Sequence, residues 1–167
     1  MNERVSRLAA RIRTELAELN RVVARLRQAW DHRQRTGDDL YLDSVALNLH
    51  GFCAGLERLF ELIATRVDGQ MPQGPNWHQA LLLQMSQERP EVRPAVLSDQ
   101  TRQQIEDYRV FRHVVRNLYT FQFDPDKLRR LVEGSVAALV AAQTELQSFA
   151  DFLAARSEAE NPDAQSP

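Results

Sequence analysis

The apolar positions of this chain recur in steps of three and four, the period of an α-helix with one buried face. Val5, Leu8, Ile12, Leu16, Leu19, Val23, Leu26 and Trp30 form the first such stripe, and Gly37 stops it. Leu42, Val45, Leu49, Phe52, Leu56, Leu59, Ile63 and Val67 form the second, closed by Asp68-Gly69. The run GQMPQGPN that follows is rich in helix breakers and predicts a loop. Asn76 then caps a short helix carrying Trp77, Leu81 and Met85, and the two prolines of ERPEVRP end it. Ser98 or Asp99 starts a fourth helix through Ile105, Tyr108, Phe111, Val115 and Leu118.

The segment YTFQFDP interrupts the helical period. Tyr119, Phe121 and Phe123 alternate as in a strand, but a short run with no partner cannot build a sheet. Pro125 suits the first position of a fifth helix with Asp124 as its cap. That helix carries Leu128, Val132, Val136, Leu139, Leu146, Phe149 and Leu153. The pattern predicts an all-α fold: an up-and-down helical bundle of four long helices plus one short one. Residues 1–157 are expected to form a single domain, and 158–167 a flexible polar tail.

Composition agrees with this picture. At 167 residues and 43% hydrophobic, the chain has enough apolar material for one core and little room for two. No apolar run is long enough to span a membrane, and the charged N-terminus does not read as a secretory signal, so a cytoplasmic location is expected. The single cysteine, Cys53, excludes an intramolecular disulfide framework, and in its apolar run it reads as a small buried hydrophobe.

The net charge of −2 conceals an uneven distribution. Residues 1–37 carry nine arginines against four acids, and residues 38–100 carry four arginines against nine acids. Opposite segments in one small bundle usually meet each other, so the basic first helix is expected to face an acidic neighbour. Residues 101–123 are mildly basic and hold the candidate chemistry. At 100° per residue, Tyr108, Phe111, Val114, Val115 and Leu118 share one arc of the fourth helix, and Arg109, Arg112, His113, Arg116 and Asn117 share the other. Neighbouring cations on a helix repel by a few tenths of a kcal/mol, roughly, per pair. An anion, carboxylates from another helix or the helix C-terminal dipole would offset that; a solvated cationic helix end would need no function at all.

The chemistry such a face suits is phosphodiester cleavage. Arginine presents a planar, permanently charged fork that matches phosphate oxygens in two-point contact. It would stabilise the charge that builds on phosphorus as an RNA 2′-hydroxyl attacks. Histidine can move the proton. This chemistry requires no metal, and no clustered His/Asp/Glu set suggests one. His32, His50 and His78 are scattered over three other segments, and the last two border apolar stripes and read as structural.

At this helix the sequence resembles a known family. YRVFRHVVRNLYTFQFDP, together with LHGFCAGLERLFELIATRVDG, GPNWHQALLLQM and VRPAVLSD in the same order, is similar to the HepT-like toxins of the HEPN superfamily (higher eukaryotes and prokaryotes nucleotide-binding). The resemblance covers about residues 40–155. It implies a homodimer with a composite cleft, metal-independent endoribonuclease activity without a cofactor, and a place as the toxin of a type VII toxin–antitoxin system. It also implies a minimal nucleotidyltransferase antitoxin as partner, able to attach AMP to a tyrosine of the toxin.

The family motif reads Arg, a polar residue, three variable residues, His, one variable residue, Tyr. Here Arg112 takes the Arg position, His113 the polar one and Tyr119 the Tyr, while Asn117 stands where the His belongs. On this resemblance Arg112, His113 and Asn117 are the catalytic candidates, with His113 as acid or base and Asn117 orienting substrate. Arg109 and Arg116 would bind RNA phosphate, and Tyr119 would accept AMP or merely pack its loop. The alternatives are a non-catalytic HEPN module binding RNA, a nucleotide or a protein partner, and a plain dimerising bundle whose arginines pair with acids.

Overall fold

Each apolar stripe becomes a helix in the computed structural model, which describes residues 2–159. Helix α1 spans Asn2–Thr36 and buries Leu8, Ile12, Leu16, Leu19, Val23, Leu26 and Trp30, with Val5 partly covered. Gly37 takes φ 70°, a left-handed conformation that costs a residue without a Cβ little, and its N–H donates to the Arg33 carbonyl at 2.8 Å. The chain reverses into α2, Leu40–Arg66, with the Leu40 N–H donating to the Asp38 carboxylate at 2.9 Å. Leu49, Phe52, Leu56, Leu59 and Ile63 are all fully covered. Helices α1 and α2 approach closely at Gly55, where an added Cβ would lie 2.5 Å from Leu19 Cδ2.

The short helix α3 is Trp77–Ser86. Asn76 occupies the predicted cap position, but its side chain makes no capping bond; its backbone carbonyl accepts from Ala80 instead. Helix α4 is Asp99–Val115, and the Ser98 hydroxyl accepts from the Thr101 N–H at 3.2 Å as the sequence predicts. Glu145 ties this start to the last helix by accepting from Ser98 N, Ser98 Oγ and Thr101 Oγ1 at 2.7–2.9 Å. Helix α5, Pro125–Ala159, opens with Asp124 accepting from the Asp126 N–H at 2.9 Å. It runs two residues past the expected end of the domain at 157; the rest of the predicted tail lies outside the described residues.

Helix α1 packs along both α2 and α5, and the shorter α3 and α4 lean on α2. The described residues contain no strand, so the all-α bundle is the fold. The aromatic segment after α4 forms a 3-10 turn, Thr120–Gln122. No described helix is long and apolar enough to cross a membrane.

Three expectations change. First, α4 ends at Val115, not Leu118, and Arg116 and Asn117 sit in the turn beyond it. Second, only part of the apolar arc faces inward: Tyr108 is buried and Phe111 packs against the core. Thr101, Ile105 and Tyr108 are buried and Arg112 follows them one turn on, so the helix is rolled toward its cationic side. Val110, Val114 and Leu118 are left 39–47% exposed, and Val136 of α5 also faces out. Third, the basic α1 does not simply face acids on its neighbours. Arg13 reaches Asp151 of α5 at 2.8 Å and Arg33 reaches Asp39 at 3.0 Å, but toward α2 the polarity reverses, with Arg58 lying 3.7 Å from Glu15.

Candidate functional site: a cationic cleft around Glu57

Roll of α4 brings its arginines against α2 and α3 rather than into open solvent. Arg109, Arg112, His113 and Arg116 line one small cleft with Glu57 of α2 and His78 from the first turn of α3. Its enclosed space, about 30 Å³, is too small to engulf a nucleotide. It suits a phosphate presented at the rim, with the bases of a strand left outside.

Glu57 is the hub. Its carboxylate is only 11% exposed and accepts from Arg112 Nη1 through Oε1 and from His78 Nδ1 at 2.6 Å through Oε2. A carboxylate oxygen is an acceptor, so this bond places the His78 proton on Nδ1 and leaves Nε2 as the basic nitrogen of the neutral ring. Trp77 stacks on that ring with centroids 3.6 Å apart. Arg112 Nε is buried and has no acceptor among the described residues. An orphaned buried donor costs roughly 1–3 kcal/mol, which an anionic oxygen entering the cleft would offset.

The other cations differ in how far they are committed. Arg109 is forked onto Glu106 at 2.6 and 2.9 Å, and that hydrogen-bonded carboxylate favours its charged form. Arg116 and His113 are exposed and have no side-chain partner among the described residues. They are the groups most free to meet a ligand. A plain bundle would pair each arginine of the cleft with a buried acid, and of Arg109, Arg112 and Arg116 only Arg112 is so paired among the described residues.

Asn117 does not line the cleft. Its backbone N–H donates to the Val114 carbonyl and its side-chain amide to the His113 carbonyl at 3.3 Å, so it closes the end of α4. Tyr119 lies in the exposed turn, 72% accessible, with its ring parallel to Phe121 at 5.6 Å. Its contact is with another exposed ring, not with the core.

Glu57 and His78 are the residues the sequence reading missed. One signal was present: Glu57 falls between Cys53 and Phe60 on the buried arc of α2, and a carboxylate there needs a partner. His50, two turns earlier on the same face, lies behind the cleft with Nδ1 buried and unpartnered. Burial first, then the charges of Arg112 and Arg116, push its pKa down against the pull of Glu57. Cys53 is the inert thiol expected of it: burial, with Glu57 acting the same way, pushes its pKa up to about 12. No three metal-ligating side chains cluster among the described residues.

The all-α bundle is consistent with a HEPN-like fold. Residues 44–153 match the family model described as HepT-like protein, and the chain belongs to that family. No curated protein and no solved structure matches it.

Proposed function

We propose that this protein is a HepT-type endoribonuclease that cleaves RNA at the cleft around Arg112 without a metal ion. The convergence of Arg109, Arg112 and Arg116 with His113 on one opening supports this reading. Arg112 and Arg116 bind the scissile phosphate and stabilise the charge that develops on it. Arg109, forked onto Glu106, adds field rather than contact. His113 moves a proton at the rim. Asn117 loses the substrate-orienting role that the motif alignment gives it and becomes a helix cap.

The apolar side chains left exposed on α4 and in the turn beyond it, Val110, Val114 and Leu118, suit a second copy of the chain, which would extend the cleft into the composite site of a homodimer. As the toxin of a type VII pair, the protein would be restrained by a minimal nucleotidyltransferase antitoxin that transfers AMP to Tyr119, whose exposed hydroxyl would attack the α-phosphorus of ATP and release pyrophosphate. Mass spectrometry after incubation with such an enzyme and ATP should show one added AMP on Tyr119. An unmodified Tyr119 removes that part of the reading.

The test of the nuclease is direct. Purified protein in chelator should cut RNA, and Arg112→Ala and His113→Ala should abolish cutting. Equal digestion by wild type and both variants would assign the activity to a contaminant. The second reading, a non-catalytic RNA-binding module, draws on the engagement of Arg112 by Glu57. It expects salt-dependent RNA binding with no cleavage.

A further inference from the structure

We infer that His78, held by Glu57, is a catalytic proton-transfer residue of this cleft, in the role that the family motif assigns to the position Asn117 occupies here. The inference rests on the RNA-cleavage reading above.

The geometry supports it in four ways. The Glu57–His78 bond fixes both the tautomer and the orientation of the ring, the arrangement by which carboxylates prepare histidines as bases in unrelated enzymes. The other oxygen of the same carboxylate holds Arg112, so the proton acceptor and the phosphate-binding fork are set relative to each other by one rigid group. His78 is 26% exposed and lines the cleft, and its Nε2 has no partner among the described residues. Packing alone does not explain the arrangement: Glu57 sits on the buried arc of α2, where an apolar side chain would serve the core without desolvating a charge. His50 does not line the cleft, and Asn117 is committed to the end of α4.

In the step that follows, the RNA 2′-hydroxyl gives its proton to His78 Nε2 while its oxygen bonds to the adjacent phosphorus. The P–O5′ bond breaks, and O5′ takes a proton from the imidazolium of His113. The products are a 2′,3′-cyclic phosphate and a 5′-hydroxyl. Exchange with water returns the proton from His78 and restores that of His113. Glu57 is a positioning residue: it touches His78 and Arg112, not the reacting atoms.

The experiment measures single-turnover cleavage of an RNA oligonucleotide across pH for wild type, His78→Gln, Glu57→Gln and His113→Ala, each confirmed folded by its melting curve. His78→Gln should lower the rate about 10²–10⁴-fold, the range for loss of a positioned base, and should remove the acidic limb of the pH profile. Glu57→Gln should lose less, because the amide still touches the ring but no longer fixes it and Arg112 together. With a substrate whose 5′ leaving oxygen is replaced by sulfur, which needs no acid, His113→Ala should recover and His78→Gln should not. A folded His78→Gln that cuts within about threefold of wild type, or keeps the acidic limb, overturns the inference and leaves the nuclease assignment standing. A wild type that cuts no RNA overturns both.

Discussion

Two largely buried arginine–carboxylate pairs, Arg93–Asp68 and Arg112–Glu57, are finished to different degrees. Arg93 and Asp68, both with fully buried side chains, are joined at 2.6 and 2.8 Å. The remaining donors of Arg93 reach the carbonyls of Gln87, Pro94 and Gln84 at 2.9–3.0 Å, so all five of its N–H groups are used. Gln84 closes the other side by donating to Asp68 at 2.6 Å. This pair staples the end of α2 to α3 and to the loop before α4, and nothing in it is left for a ligand. Arg112 and Glu57 use the same chemistry and stop short of saturation, with a donor without acceptor, a histidine with a free nitrogen, and an opening shared with exposed Arg116 and His113. On the proposed function, the contrast separates an ion pair that holds the fold from one that is poised for a substrate.

The comparison breaks most severely at Asp68. Asp68→Ala leaves a buried, uncompensated guanidinium and should cost about 3–5 kcal/mol. In a chain of this size that lowers the melting temperature by on the order of 10 °C in a calorimetric scan. Arg112→Ala should cost less stability, because Glu57 keeps its bond to His78, and should lower RNA cleavage about 10²–10³-fold, typical of removing one donor from a developing oxyanion.

Smaller effects sharpen the boundary between cleft and core. Cys53 lies behind Glu57, and with its pKa near 12 the thiolate is scarce at pH 8. Alkylation should therefore run at least about 100-fold slower than for a free thiol and accelerate only in denaturant. Rapid labelling of the folded protein would mean that the wall between cleft and core is open. The smallest effect belongs to His50. Its folded pKa lies below the ordinary 6.5, so below that pH the unfolded chain binds the extra proton and the folded one resists it. Stability should fall as pH drops from about 7 toward 5, and His50→Gln should remove part of that slope in thermal melts.

Much of the fold was legible because the period of the apolar residues is itself the cause of burial. The stripes of α1 and α2, the reversal at Gly37, the Ser98 cap and the Pro125 start all appear where the local chemistry requires them. Helix α4 was harder. Its apolar pattern runs on through Val114 and Leu118, but α2, α3 and α5 receive the side that carries Thr101, Ile105 and Tyr108, and Arg112 turns inward with them. A helix carrying two competing faces is oriented by its neighbours, and a single sequence does not specify them. For the same reason the cations of the site were readable and their organiser was not. His78 and Glu57 stand 21 residues apart and meet only because α3 folds back on α2.

The central claim is that the Arg112 pair does chemistry and the Arg93 pair does not. It is tested most directly by measuring RNA cleavage per folded molecule for Arg112→Lys and Arg93→Lys side by side, with melting temperatures from the same preparations. Lysine keeps the charge and loses the fork. Arg112→Lys should stay folded and lose most cleavage, while Arg93→Lys should melt lower and keep wild-type cleavage for whatever fraction is folded. Cleavage that survives in Arg112→Lys, or fails in folded Arg93→Lys, would contradict the account.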